Sequence, residues 1–394
     1  MYRDLDDMRR SLDQHLLFDE RGRVSGFRQE ELAPGAVDAF ARNAIFNPDP
    51  TVRTQMRQML RSAAAWRGIR SSSLDGTLAE LGRRPQGVLL AVRLGGHCYD
   101  LARLVLRSAK ARGVAGLVFE QGWAGQSPWE FSALMCAAAL REHWQAPLFL
   151  RCCLPPLASD LLPGGMDSEA LDDQLATALG AGFLNLTLRI SPAGLLRSRS
   201  HGELRQLLKA AREGRMAISL RVDEPAAETG DDPAAVVQAL RRLGAEGAIT
   251  LLTVSGDSEG WSAGLAESWM TAAGARGLAL SGVLPSGFLS GALARPVLEV
   301  RPEFEWAERI VMHPEFRGEH RRKVLAWLRG SRQGALPMTD SALLRDFEYQ
   351  ALGHFEFELW DLDGMPSFRD EFMSMLGNLY ERLGLVESQA WVGA

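Results

Sequence analysis

Lysine is almost missing from this chain. Of 44 basic residues in 394, only Lys110, Lys209 and Lys323 carry an amine, and the rest are arginines. A coding bias toward arginine is the simplest origin, but the chemical restriction holds whatever the origin. An imine-forming mechanism needs a lysine, and any such mechanism here must use one of these residues. Cysteine is also sparse. Cys98, Cys136, Cys152 and Cys153 have neither CxxC spacing nor the density of a disulfide framework, which fits a reducing compartment. No apolar run approaches the about 18 residues of a membrane span, and the opening MYRDLDDMRR has no apolar segment of a secretory leader. The net charge of −5 and pI near 5.9 exclude a broad attraction to nucleic acid or anionic lipid. The basic cluster Arg321, Arg322, Lys323 is short, shares a helical pattern with Trp327, and reads as a solvated helix face. A Walker loop, a dinucleotide fingerprint and a Ser-His-Asp order are absent too. The expectation is a soluble cytoplasmic protein with neither nucleic acid nor membrane as partner.

What is present is a long alternation of strand-like and helix-like segments. With 46% hydrophobic and 24% charged residues the chain can bury a large core. Eight short runs rich in Val, Leu, Ile and Phe read as strands: Gly87–Arg93, Gly116–Glu120, Pro147–Cys153, Phe183–Arg189, Ala217–Asp223, Ile249–Ser255, Leu278–Ser281 and Val297–Arg301. Near-continuous apolar runs of this length are expected of parallel strands buried on both faces. Helical spacing fills the gaps over Asp100–Arg112, Pro128–Trp144, Ser168–Leu179, Gly202–Glu213, Pro233–Leu243, Leu265–Ala275, a short stretch near Gly291, and Phe304–Met312. The pattern predicts an α/β fold, a (β/α)8 TIM barrel over residues 86–312. A helical N-terminal extension over 1–85 precedes it. A helical C-terminal extension over 313–394 packs on the barrel or on a partner.

Several stretches, taken in order, resemble the class II fructose-bisphosphate aldolases. They are NPDPTVR at Asn47–Arg53, GHCYDLARLVLRSA at Gly96–Ala109, GAGFLNLTL at Gly180–Leu188, HPEFRGEHRRKVLAWL at His313–Leu328 and ALGHFEFELW at Ala351–Trp360. None is diagnostic alone; their order and the barrel pattern carry the likeness. The resemblance implies a lyase-type barrel with a divalent metal, usually zinc, held by histidines after the third, sixth and seventh strands, and an acidic general base beside the first of them.

The departures from that family are the informative part. The third strand ends LFLRCCLPP, with Cys153 where the catalytic acid would lie and Leu154 where a metal histidine would lie. The sixth ends VSGDSEG, with Glu259 in place of histidine, and the seventh ends LALSG, with Ser281. All the metal histidines are thus replaced, so no metal and no cofactor is expected. Cys152 and Cys153 cannot both face the barrel axis, because neighbouring strand residues point to opposite faces. Imine chemistry fails on placement, since Lys110 and Lys209 fall on outer helices and Lys323 in the C-terminal region.

Charge remains at the barrel mouth. With strand parity phased as the resemblance implies, Arg93, Arg151, Arg189, Arg221 and Arg301 point inward, with Glu120, Asp223 and Glu299 beside them. Two readings stay open. These groups neutralise one another as a salt-bridged plug, or the arginines bind a phosphorylated sugar or a dicarboxylate, for which a planar guanidinium is suited. In the family the phosphate site follows the seventh and eighth strands, where this chain offers Gly282, Ser286 and Gly287. The turn Gly95–Gly96 and the tryptophans Trp123, Trp129, Trp261 and Trp269 read as a turn and as core or interface. The function expected is that of a non-catalytic relative, a pseudoenzyme serving as an assembly, regulatory or anion-binding subunit, as a homo-oligomer or beside a protein partner. The alternative is an active aldehyde-lyase on a phosphorylated sugar or related carbonyl compound that uses non-standard residues. Apolar positions at Phe372, Met373 and Leu376 would cover the barrel or form an interface.

Overall fold

The fold is that of a computed structural model. It describes residues 1–81, 87–94, 98–121, 126–154, 168–191, 195–196, 198–222, 233–244, 249–255, 268–269, 271–275, 277–281, 297–301, 322, 326 and 365–386. The N-terminal extension comprises α1 (Leu5–Asp13), a hairpin of β1 (Leu16–Phe18) and β2 (Val24–Phe27), α2 (Pro34–Phe46), α3 (Pro50–Trp66) and α4 (Leu74–Leu81). The barrel alternation follows: β3 (Gly87–Leu94), α5 (Tyr99–Ala111), β4 (Leu117–Gln121), α6 (Pro128–Arg141), β5 (Phe149–Cys153), α7 (Ser168–Gly180) and β6 (Asn185–Ile190). It continues through α8 (Ser198–Glu213), β7 (Ala217–Val222), α9 (Pro233–Gly244), β8 (Ile249–Ser255), β9 (Gly277–Ser281) and β10 (Val297–Arg301), and α10 (Met365–Arg382) lies near the C-terminus.

All eight strands from β3 to β10 are parallel to their neighbours, and β10 pairs with both β9 and β3, so the ring of pairing closes into a barrel. Each strand falls within a residue or two of its expected bounds. The extension is not purely helical, which corrects the expectation for residues 1–85. Asp19 makes the difference: its carboxylate accepts from the backbone N–H groups of Arg21 and Arg23 at 2.9 and 2.8 Å, and Gly22 takes φ +70°. That turn joins the apolar runs on either side as antiparallel strands. The predicted helix near Gly291, that over Phe304–Met312, and the stretches His313–Leu328 (apart from Arg322 and Ala326) and Ala351–Trp360 lie outside the described residues.

Parity divides the barrel's apolar residues into two cores. Leu90, Val92, Phe119, Leu150, Leu186, Leu188, Ile218 and Leu220 point outward and join the helices in one continuous core. Leu89, Ala91, Val118, Phe149 and Ala217 point inward and form a separate cluster with Leu74 of α4. Helix α4 therefore seals the end from which the strands start. The segment before it runs as an extra edge, with Ser71 bridged to Leu148 and Ser72 donating its N–H to the Leu148 carbonyl at 2.9 Å. Asn185, at the start of β6, fastens this floor. Its amide donates to the carbonyls of Ser72 at 2.9 Å and Leu150 at 3.0 Å, and its oxygen accepts from the Leu74 N–H at 2.7 Å.

Both extensions are tied to the outside of the barrel through α5. Arg103 donates to Glu142 at 3.0 Å and to Asp100 at 3.2 Å, and lies 3.6 Å from Asp38 of α2. Arg107 holds Glu142 through two bonds of 2.9 and 2.8 Å, and Tyr99 donates its hydroxyl to Asp38 at 2.7 Å. Arg369 of α10 reaches Asp100 at 2.9 Å. Phe372 and Leu376 are buried where α10 packs on α5, so this apolar stripe covers the barrel. Burial pushes the Glu142 carboxyl up, but hydrogen bonds and charge from Arg107 and Arg103 outweigh it and hold the group below its ordinary value. Burial, with Asp38 close by, raises the Tyr99 phenol well above its usual range.

Two outcomes are expected. Asn185→Leu keeps the volume but strands one N–H and two carbonyls, and should lower unfolding stability by about 2–4 kcal/mol in urea titrations. Glu142 has a native value below its unfolded one. Its contribution is complete above pH about 4.3 and is lost as pH falls through the depressed native value. The midpoint of urea unfolding should fall over that window, less steeply in Glu142→Gln.

Candidate functional site

Above the sealed floor the barrel interior becomes polar. Register places Glu120 of β4 beside Arg93 of β3 and Arg151 of β5. Arg151 is completely buried and Glu120 is 3% exposed, and their charged atoms are 3.6 Å apart. Thr187 of β6 donates its hydroxyl to Glu120 at 3.4 Å, and Ser219 of β7 shares a hydroxyl hydrogen bond of 2.6 Å with Thr253 of β8. Thr253 faces inward because β8 carries one extra residue: Ile218 pairs with Ile249 but Ser219 with Leu251. The residue between them, Thr250, turns its hydroxyl back to accept the Ile218 N–H at 3.1 Å. The bulge thus returns the hydroxyl row to the barrel axis.

One layer higher, at the carboxyl ends of the strands, the interior is basic. Arg189 and Arg221 are direct neighbours in the register of β6 and β7. Arg189 is exposed and Arg221 and Arg93 are half-buried. Like charges directly opposite on adjacent strands are destabilising by themselves, and both arginines also make contacts of their own. Of the acids expected there, Glu120 is in place one layer down. Arg301, Glu299 and Ser281 occupy their expected strands, Arg301 opposite Ser281 and Glu299 opposite Ala279. Asp223, Glu259, Gly282 and Ser286 lie outside the described residues.

The positions that match the aldolase metal set do not fit zinc where they are described. Leu154 packs into the outer core at 4% exposure while its N–H donates to the Thr187 carbonyl at 3.0 Å, and a hydrocarbon side chain offers a metal no donor. Cys153, half-buried, has inward parity beside Thr187, whereas Cys152 lies in the outer core. The opposed faces of the two cysteines follow the strand alternation. Burial, with Glu120 close by, pushes the Cys152 thiol up to about 12, so it is a packed thiol and not a thiolate. Among the described residues no three His, Cys, Asp or Glu side chains converge as metal ligands. The lysines sit on outer helices: Lys110 donates to the Glu142 carbonyl at 3.1 Å, and Lys209 pairs with Glu213 at 4.0 Å on the exposed face of α8. Lys323 lies outside the described residues.

The segments that carry the aldolase resemblance do structural work. Asn47, fully buried, donates to the Tyr2 carbonyl and to Asn43, both at 2.8 Å, and Asp49 caps α3. Tyr99, Asp100, Arg103 and Arg107 build the ion-pair network, and Asn185 fastens the floor. Sequence reasoning missed the hydroxyl pair Ser219 and Thr253. The bulge shifts the phase of β8, and alternation alone counts past it.

No protein-family model and no curated protein sequence matches the chain. Solved structures give distant similarities. One is a protein from Coccidioides immitis assigned as a fructose-1,6-bisphosphate aldolase, at 16% identity and TM-score 0.36, over 74% of this chain and 97% of that one. The YdjI aldolase of Escherichia coli K12 aligns at 10% identity and TM-score 0.42, over 75% of this chain and 98% of its own. The HMG-CoA lyase of Bacillus subtilis aligns at 12% identity and TM-score 0.37, over 66% and 98%. No helix among the described residues is long and apolar enough to cross a membrane.

The buried pair makes a specific expectation. Arg151→Met removes one of the cations beside the buried Glu120 carboxylate and should be destabilising, by up to about 3–5 kcal/mol, whereas adding Glu120→Gln should restore part of the loss. Thermal or urea unfolding of the single and double variants measures this difference directly.

Proposed function

We propose that this protein is an aldolase-like (β/α)8 barrel that binds a small anion, a sugar phosphate or a dicarboxylate, at its mouth, and acts as a regulatory or assembly subunit without zinc or imine chemistry. The adjacent Arg189 and Arg221 carry this reading: two guanidinium groups share one edge of the rim, one of them exposed. Planar guanidinium forks match phosphate and carboxylate bidentately. Glu120 and Arg151 below them favour a shallow ligand, because the space deeper in the barrel holds a buried ion pair and hydroxyls. The plug and the anion site are in this view two layers of one structure. Leu154 at the metal-histidine position supports the loss of the metal-dependent reaction.

Thermal shift with fructose 1,6-bisphosphate, glycerol 3-phosphate and citrate tests the anion site. At least one should raise Tm, and Arg189→Ala should weaken its binding about 10–100-fold, the worth of one hydrogen bond to a charged group. The effect should shrink as salt rises. No shift with any probe, or a shift that survives in Arg189→Ala/Arg221→Ala, overturns the site. The purified protein should carry no stoichiometric zinc by elemental analysis and should not cleave fructose 1,6-bisphosphate. Cleavage that persists in the presence of chelator would establish the alternative, an aldehyde-lyase working through other residues.

A further inference from the structure

We infer a second small-molecule site, outside the barrel at the side from which the strands start, that takes an uncharged single-ring molecule with a hydroxyl tip. A cavity of about 250 Å3 lies in the seam between the N-terminal extension and the end of α6. Phe27, Leu32 and Ile69 of the extension and Leu140 and Trp144 of the barrel side form its apolar wall. Leu32, Ile69 and Leu140 are each 6% exposed, so this wall is packed and not open surface. An apolar void of roughly 150 Å3 admits benzene, and drug-sized ligands occupy about 300–1000 Å3. The cavity therefore fits one ring and a short substituent.

The charges in the wall cancel. Arg67 donates to one Glu31 oxygen at 3.1 Å, and His143 Nδ1 lies 3.2 Å from the other. The Glu31 side chain is 45% exposed and that of Arg67 40%, so the pair keeps its access to water. An ion entering the seam sheds part of its hydration and meets two opposite charges at nearly the same place, so neither sign of ligand offsets that loss. A neutral ring sheds little and gains by burying apolar surface. The site thus selects against both the acid and the amine of the same shape.

The helix ends add little to this selection. α3 and α6 both terminate at the cavity, and their last turns are already closed: Arg67, Gly68 and Ile69 donate N–H groups to carbonyls of α3, and Glu142, His143 and Trp144 to carbonyls of α6. Gln145, exposed next to Trp144, supplies a neutral polar side chain at the edge of the wall. Its amide can both donate and accept a hydrogen bond. A hydroxyl does the same, which sets the tip of the ligand.

Benzyl alcohol is the probe, with benzoate and benzylamine as anionic and cationic counterparts. Tryptophan fluorescence and ligand-observed NMR should show saturable binding of benzyl alcohol in the millimolar range, at least about tenfold tighter than either ion. Ile69→Phe and Leu32→Phe each grow into the void from a different segment and should abolish that binding. Arg189→Ala at the barrel mouth should leave it unchanged, so this site stands or falls separately from the anion site. Glu31→Gln leaves Arg67 uncancelled and should tighten benzoate by about three- to tenfold, and Arg67→Met should do the same for benzylamine. Both residues are exposed enough for these variants to fold. No saturable binding of benzyl alcohol overturns the site, as does binding that survives in both phenylalanine variants. Equal binding of either ion by the unaltered protein, or benzoate binding that Glu31→Gln leaves unchanged, also overturns it.

Discussion

A glutamate and an arginine almost out of reach of water, Glu120 and Arg151, govern what the barrel can hold. Removing two charges from water is costly, and their mutual attraction offsets the cost only if the surroundings stay dry and polar atoms are satisfied. The layer beneath meets the first condition with Leu74, Leu89, Val118 and Phe149 sealed under α4. At the same height the Thr187 hydroxyl answers part of the second by donating to Glu120. Above the pair Arg221 is half-buried and Arg189 exposed, so both stay charged at less cost than Arg151.

The extensions answer a different demand, which is to cover the first two helices of the barrel. Helices α2 and α3 pack on α6, and α10 packs on α5. Where these surfaces meet, Arg103, Arg107, Arg141 and Arg369 alternate with Asp38, Asp100 and Glu142. Each acid there has at least two basic neighbours, so the charges form a connected set and not isolated pairs, which on a surface contribute little. Gly377 belongs to the same contact. A Cβ at that position would press on the tip of the Arg112 side chain, which would have to move aside.

Strand positions were legible because parallel strands buried on both faces leave apolar runs that few other structures leave. Parity, phased by the aldolase resemblance, then placed Arg151 and Glu120 inside, and alternation alone separated Cys152 from Cys153. Parity did not rank the arginines. Arg151 and Arg189 read alike, yet one is fully buried and the other exposed, because height along the barrel depends on register and register on long-range pairing. The hairpin at Leu16–Phe27 was hidden for another reason. The three-residue strand β1 is too short for its period to show. Asn185 illustrates the hardest case: an asparagine within GAGFLNLTL has no sequence mark that tells a floor fastener from a ligand contact.

The bond from Arg369 to Asp100 has a consequence in time. The two residues are separated by 269 positions. At about 5–20 residues per second of synthesis, roughly 13–54 s pass between the appearance of α5 and that of its cover. Throughout that interval the face of α5 around Val105 and Ser108, which later accepts the Tyr380 hydroxyl and packs along α10, stands bare to the ribosome exit and its surroundings. The nascent barrel therefore carries this face of α5 early and covers it only once α10 has been made.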